Sequence, residues 1–144
     1  MKVKSRDFQD NDSIPSQFTC DGEDISPHLS WEEVPEEAES FALSVEDPDA
    51  PMGTFVHWLV YDIPKEITNL NQNSLPVEAK QVTNDFGKED YGGPCPPSGT
   101  HRYIFTIYAL KIDHLKNVNK RNFFDLIRQH TLDKAVITGL YKRR

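Results

Sequence analysis

The sequence predicts a mostly β fold with one peripheral helix. Several short runs are rich in aromatic and β-branched residues, which favour strands. One segment repeats apolar residues at helical spacing. Prolines and glycines concentrate in residues 47–53 and 92–99, which predicts two loops there. These patterns indicate the fold class but do not name the strand topology.

The strand prediction covers four segments of the chain. The first alternates apolar and small residues, and the next two are apolar on both faces, which predicts central strands. The four segments are Phe41–Val45, Phe55–Tyr61, Tyr103–Leu110 and Ala135–Tyr141. The polar segment Lys65–Ala79 is predicted to cross the surface.

The helix is predicted to begin near an asparagine N-cap, either Asn119 or Asn122, and to end at about Leu132. Its helical spacing is carried by Phe123, Leu126, Ile127 and His130.

Length and charge limit the classes of function. The chain of 144 residues has the length of one domain, and we assign residues 1–144 to a single domain. A net charge of −7 argues against the basic surface that phosphate neutralisation needs, so we expect no nucleic-acid partner. The basic run Lys142–Arg144 is predicted to be a solvated terminus.

No apolar leader follows Met1, and no run approaches the ~18 apolar residues of a transmembrane helix. We therefore expect a soluble, cytoplasmic protein with no transmembrane segment, although a leader removed from a secreted form would leave no trace. In the cytosol, Cys20 and Cys95 are expected to be reduced thiols. A single disulfide between them is the alternative.

Reactive polar residues concentrate at three places. Asp47 and Asp49 follow a predicted strand, His57 lies within another, and His101 and Tyr103 follow the second loop. Alternate residues of a strand lie on the same face, so His57 is expected to share a face with Leu59 and Tyr61. In the same way, His101 is expected to share a face with Tyr103 and Phe105. If these strands are neighbours, the residues form a pocket of hydrogen-bond donors suited to phosphate or carboxylate. Arg102 lies on the opposite strand face from His101 and Tyr103, and we predict that it forms a structural salt bridge there.

Other interpretations of these residues stay open. His57 alone is typical of a buried core histidine, and Asp47 and Asp49 alone are typical of turns. The two aspartates could also form a metal site with His57 and His101, although the spacing matches no standard motif. A hydrolase would need Ser98 or Cys95 as nucleophile, and no G-x-S-x-G elbow is present.

Three separated runs of the sequence resemble the phosphatidylethanolamine-binding protein family, most closely its bacterial and archaeal Raf kinase inhibitor-like branch. They are Asp47–Pro51, Val56–Val60 and Gly92–Tyr103. Phe18–Pro27 and Thr138–Tyr141 also look like the opening and closing segments of that branch. The resemblance implies an antiparallel β-sandwich with small peripheral helices.

The resemblance also implies an anion pocket for phosphate or phosphoethanolamine head groups. The residues that match its motifs are Asp47, Asp49, His57, Pro96, Gly99, His101 and Tyr103. Some members of the family inhibit kinases or serine proteases, so the resemblance also implies a protein target of that kind for this chain. The sequence departs from the family pattern at two places near the pocket. His28 stands where the bacterial branch usually has a proline, and the C-terminal helix that partly covers the pocket in eukaryotic members does not follow the last predicted strand.

The sequence therefore predicts an anion-binding regulator or inhibitor without a cofactor, and not an enzyme. The alternative is a hydrolase or another phosphate-handling enzyme that uses the same Asp/His pocket. Apolar residues near the last strand predict a homodimer. We also expect a cis X-Pro bond in the pocket walls, such as Ala50-Pro51.

Overall fold

Two β-sheets form the framework of the protein, and the computed structural model describes residues 1–143. The elements in chain order are β1 (Lys2–Lys4), β2 (Asp12–Ser13), a 3₁₀ turn (Ser16–Phe18), β3 (Leu29–Glu32), β4 (Ser40–Asp47), β5 (Phe55–Pro64), β6 (Asn69–Leu70), β7 (Lys80–Val82), β8 (His101–Leu110), α1 (Phe123–His130) and β9 (Thr131–Tyr141). The larger sheet has the order β2-β9-β8-β4-β5-β7, and the smaller has the order β1-β3-β6. The pairs are antiparallel except β2 with β9, which confirms the predicted mostly antiparallel β-sandwich.

Both faces of the large sheet are buried, which explains why its central strands are apolar throughout. One face packs against the small sheet, where Trp31 of β3 contacts Phe41 of β4 with ring centroids 5.3 Å apart. The other face is covered by α1, whose Phe123 and Ile127 pack with Leu59 of β5. Burial on two faces leaves little freedom to shift a strand by one residue, because such a slip would exchange its faces.

The four predicted strands and the helix are confirmed, with differences at their ends. The helix ends at His130 and not at Leu132, because the chain turns directly into β9 at Thr131. At its start, the Asn119 side chain accepts hydrogen bonds from the backbone N–H groups of Arg121 and Asn122 at 2.9 and 3.0 Å. The segment predicted to cross the surface also contributes β6, whose Leu70 is buried in the core.

Cys20 and Cys95 form a disulfide, so the prediction of reduced thiols is wrong. Their Cα atoms lie 5.4 Å apart although 75 residues separate them in sequence. The backbone N–H of Cys20 also donates to the carbonyl of Pro94 at 3.1 Å. The fold thus brings two loops side by side that sequence spacing could not relate. The predicted cis X-Pro bond is also wrong, since every peptide bond in the described chain is trans.

Surface features bear on the remaining predictions. Within residues 1–143, no helix is long and apolar enough to span a membrane. In β9, Leu132 and Val136 are 38% and 48% exposed, and the homodimer suggested by this apolar surface stays a prediction. The basic tail is not wholly solvated, because Arg143 pairs with Asp21 at 3.1 Å, while Arg144 lies outside the described residues.

The disulfide should contribute substantially to stability, because it closes a long loop in the unfolded chain. We expect the double variant C20S/C95S to lower the free energy of unfolding by about 2–5 kcal/mol. Urea unfolding of the wild type with and without reductant, beside the double variant, measures this effect. Reductant should leave the double variant unchanged, and a loss below about 1 kcal/mol on reducing the wild type would contradict the assignment.

Candidate functional site

A cavity of about 200 Å³ lies where β4 ends and where β5 and β8 begin. Three central strands therefore bring residues from distant parts of the chain to one end of the large sheet. The cavity is lined by Asp47, Ala50, Pro51, Phe55, His57, Phe86, Cys95, Pro96, Pro97, His101 and Tyr103. Five of the seven predicted site residues, all except Asp49 and Gly99, line it together.

Asp47 and His101 form a buried hydrogen bond across the ends of β4 and β8. The Nδ1 atom of His101 lies 2.7 Å from Oδ2 of Asp47, and the other carboxylate oxygen accepts the backbone N–H of Asp49 at 2.8 Å. Because a carboxylate only accepts, the imidazole carries its hydrogen on Nδ1 and leaves Nε2 for a ligand. The predicted carboxylate–histidine pair is thus present.

His57 reaches the cavity through a β-bulge. Val45 pairs with Trp58 and Glu46 pairs with Val56, so His57 is an extra residue on β5. The bulge turns its ring toward Tyr103, with centroids 5.2 Å apart, whereas Leu59 packs beneath α1. The predicted shared face of His57 with Leu59 and Tyr61 is therefore wrong, because a bulge interrupts the period of two.

The His57 ring is oriented by the backbone of the second loop. Its Nδ1 atom lies 2.7 Å from the carbonyl oxygen of Gly92, so Nδ1 carries the hydrogen and donates it. Nε2 makes no hydrogen bond to the rest of the described chain. Burial lowers the pKa of His57, and the Gly92 carbonyl and the Asp47 charge oppose this shift. The lowered pKa favours the neutral ring near pH 7.

The hydroxyl of Tyr103 is buried and makes no well-formed hydrogen bond among residues 1–143, although the Asp47 carboxylate and the Cys95 backbone lie close to it. Burial, together with the nearby Asp47 charge, raises the pKa of Tyr103, so the hydroxyl keeps its hydrogen. A buried hydroxyl without a partner costs roughly 1–3 kcal/mol. An acceptor bound in the cavity would recover this free energy.

Two predicted site residues lie outside the cavity lining. Asp49 is held by Arg102, whose Nε and terminal nitrogen donate to its two oxygens at 2.9 and 2.8 Å. These bonds lower the pKa of Asp49 to about 2, and they confirm the predicted structural salt bridge of Arg102. Gly99 occupies the exposed loop with a φ of 70°, a conformation that favours glycine.

The proposed metal and nucleophile roles find little support in this geometry. Asp49 is engaged by Arg102, and no group of three metal-ligating side chains converges within the described part of the chain. Cys95 is in a disulfide and is therefore no free thiolate nucleophile. Ser98 is exposed and does not line the cavity.

The pocket also has an aromatic wall, which was not predicted from the sequence. Phe86 packs edge-on against Phe55 and His57, with ring centroids 4.7 and 5.2 Å away. Gly92 permits this packing, because a Cβ there would lie 2.3 Å from the Phe86 ring. An isolated phenylalanine before Gly87, in a polar segment, was the available signal. The pocket thus combines apolar walls with three polar groups that are open to a ligand.

Known proteins resemble this chain along nearly its whole length. The sequence model of the family described as phosphatidylethanolamine-binding protein matches residues 4–142. A UPF0098 protein of Aquifex aeolicus is 46% identical over 152 residues, covering 99% of this chain and 89% of the relative. The UPF0098 protein YbhB of Escherichia coli is 41% identical over 157 residues, covering 98% of this chain and 99% of YbhB.

Solved structures agree with this assignment. The crystal structure of Escherichia coli YbcL, described as a new member of the mammalian PEBP family, matches with a TM-score of 0.94 and 32% identity, covering 99% of this chain and 98% of YbcL. A putative PEBP homolog of Chlamydia trachomatis, CT736, matches with a TM-score of 0.92 and 34% identity, covering 99% of this chain and 97% of CT736. The chain therefore belongs to the phosphatidylethanolamine-binding protein family.

Proposed function

We propose that the protein binds a small phosphate-like anion in this pocket and acts through it as a regulator or inhibitor of a protein kinase or protease. The observation that carries the proposal is the unpartnered hydroxyl of Tyr103, which lines the same cavity as the two histidines. A ligand with several acceptor oxygens satisfies this hydroxyl, and it also accepts hydrogen bonds from the imidazole Nε2 atoms once these are protonated.

The charges around the pocket make anion binding depend on proton uptake. Arg102, a cation next in sequence to His101, is already paired with Asp49. The carboxylate of Asp47 also lies at the cavity and would repel an anion. Protonation of a histidine compensates this repulsion, and it converts Nε2 from an acceptor into a donor.

The walls favour a phosphate group that carries a small organic substituent. Phe55, Phe86 and Pro97 give the cavity apolar sides, and a volume of about 200 Å³ accepts a head group with few further atoms. Inorganic phosphate would leave this apolar surface uncovered. A phosphomonoester such as phosphoethanolamine covers more of it and should bind more tightly.

Exposed apolar residues beside the pocket support a protein target. Met52 is 98% exposed in the loop that also supplies Pro51 to the cavity, and Phe86 is 43% exposed at the cavity itself. Exposed apolar residues around a binding site are typical of protein contact surfaces. A target that carries a phosphorylated side chain would occupy the pocket and this surface together.

A phosphate-handling hydrolase is the second candidate, because the Asp47–His101 pair has the geometry of a general base oriented by a carboxylate. If the protein acts by binding alone, as we propose, we expect it to show no such activity. Hydrolysis of p-nitrophenyl phosphate that His101→Ala abolishes, without loss of folding, would favour the enzyme.

Tyr103→Phe should have different effects on the stability of the protein and on its affinity for the anion. Removing a buried hydroxyl that has no partner should leave the stability unchanged or raise it by up to about 1 kcal/mol. The same change should weaken phosphoethanolamine binding by about 0.5–1.5 kcal/mol, the usual contribution of one hydrogen bond. Urea unfolding and calorimetric titration measure the two effects.

Tyr108→Phe is the matched control for this variant, because the Tyr108 hydroxyl lies 3.0 Å from the Ser44 hydroxyl and away from the cavity. It should lose stability and keep its affinity. A Tyr103→Phe protein with unchanged affinity would contradict the proposed role of the hydroxyl.

Anion affinity should rise as the pH falls, because binding favours the protonated form of His57. Burial holds the pKa of His57 below the ordinary 6.5 in the free protein, and a bound anion raises it. As the pH falls, the anion affinity therefore begins to rise near the pKa that His57 has in the complex. It continues to rise to below pH 6.5, by up to about tenfold per pH unit. Sulfate keeps its charge over this range, so calorimetric titrations with sulfate at pH 5, 6 and 8 report the histidines alone.

His57→Ala should remove this added pH dependence and weaken binding by about 1.5–3 kcal/mol, as expected for a lost charge-assisted hydrogen bond. His101→Ala should weaken binding at every pH, because it also leaves Asp47 unpaired at the cavity. His114→Ala is the control, since His114 is exposed and contacts Asp62 near the opposite end of β5. Equal affinity in all four proteins at every pH would place the anion elsewhere.

A further inference from the structure

We propose that the Cys20–Cys95 disulfide is a redox switch that holds the pocket in its binding form. Reduction would release one wall of the cavity and lower its anion affinity. This regulation rests on the proposed anion binding at the same site. The loop concerned, residues 92–100, is called the wall loop below.

The disulfide is attached to the wall of the cavity itself. Cys95, Pro96 and Pro97 are consecutive cavity-lining residues of the wall loop. Cys20 lies on the other side of the disulfide, in the turn that follows the 3₁₀ helix. The position of this wall is therefore coupled covalently to a segment outside the pocket.

The first part of the wall loop has anchors besides the disulfide. The Gly92 N–H donates to the His57 carbonyl at 3.1 Å, and the Gly93 N–H donates to Asp24 at 2.8 Å. The Pro94 carbonyl accepts the backbone N–H of Cys20 at 3.1 Å. These bonds do not require the disulfide, so the Gly92 carbonyl that orients His57 should stay in place after reduction.

The second part of the wall loop depends on Cys95. Residues 96–100 form no hydrogen bond or ion pair with the rest of the described chain. Residues 97–100 are also exposed, and regular pairing resumes only at His101 in β8. The disulfide is thus the last fixed point before five residues that have no polar anchor of their own.

A dithiol reductant can reach this bond, because both cysteines are partly exposed. A thiolate of the dithiol attacks one Sγ atom, which breaks the Sγ–Sγ bond, releases the other cysteine as a thiolate and leaves a mixed disulfide. The second thiol of the reductant then attacks the reductant's sulfur of that mixed disulfide and displaces the remaining cysteine as a thiolate. The products are two protein thiols and the disulfide of the reductant, so two electrons and two protons pass to the protein. In a reducing compartment such as the predicted cytoplasm, a disulfide of this kind is usually transient or redox-sensing.

Loss of the anchor changes the pocket in a defined way. Pro96 and Pro97 would no longer be held in position at the cavity that Tyr103 and His101 also line, and water would enter it. The Tyr103 hydroxyl would then be hydrated, so an anion would gain less by binding to it. Because the anchors of Gly92 persist, we expect a weaker site and not its complete loss, with affinity reduced about tenfold.

Titration of phosphoethanolamine into the oxidised protein, the dithiol-reduced protein and C20S/C95S tests the switch. We expect the reduced protein and the double variant to bind about tenfold more weakly than the oxidised protein. Backbone ¹⁵N order parameters of Ser98, Gly99 and Thr100 should fall on reduction, while those of β4 stay constant. Ile127→Val is the control for a general loss of stability, because Ile127 is a buried residue of α1 that does not line the cavity.

The outcomes distinguish the switch from the binding function. Equal affinities with unchanged order parameters would overturn the switch, as would a disulfide that stays intact in excess dithiol under native conditions. If the oxidised protein does not bind phosphoethanolamine, the proposed function fails. In that case, a fall in the order parameters on reduction supports a redox-controlled wall, and constant order parameters overturn it.

Discussion

The buried hydrogen bond between Asp47 and His101 is the contact on which the site depends. It joins the last residue of β4 to the first residue of β8 and fixes the open end of two paired central strands. It also assigns the hydrogen of the His101 ring to Nδ1, so that Nε2 is left for a ligand. Because a polar group buried without its partner is costly, loss of either residue would damage both the pocket and the strand ends.

The pocket combines this fixed pair with groups that the fold leaves unsatisfied. His57 is hydrogen-bonded through Nδ1 alone, and the Tyr103 hydroxyl makes no well-formed hydrogen bond within the described chain. Trp31 Nε1 is the other buried side-chain polar atom without a partner in the described chain, and it lies outside this cavity. An unpartnered group that lines a cavity is typical of a binding site, since a ligand can provide the missing partner.

Much of the fold and several site residues could be predicted from the sequence. The apolar strands and the helix that begins near Asn122 follow from local patterns that tertiary packing reinforces. The motif around Asp47 and the histidines indicated both the family and the pocket. The predictions failed where the structure depends on long-range geometry: the bulge at His57, the neighbouring positions of Cys20 and Cys95, and the contribution of Phe86.

These failures share one physical reason. A bulge inserts a residue without a local sequence signal, so it reverses the face that a period of two assigns to His57. The disulfide and the aromatic wall both join segments that lie far apart in sequence and that only the tertiary fold brings together. Asp49 shows the converse, since its motif suggested the pocket but its carboxylate is bound to Arg102 on the surface.

Three polar groups of the pocket are proposed to converge on one anion. This convergence can be tested by a high-resolution crystal structure of the oxidised protein with phosphoethanolamine at about pH 5.5. We expect a tetrahedral group with oxygens at about 2.5–3.0 Å from His57 Nε2, His101 Nε2 and the Tyr103 hydroxyl. A cavity that holds only water, or a metal ion at ~2.1 Å from the histidine nitrogens, would contradict it.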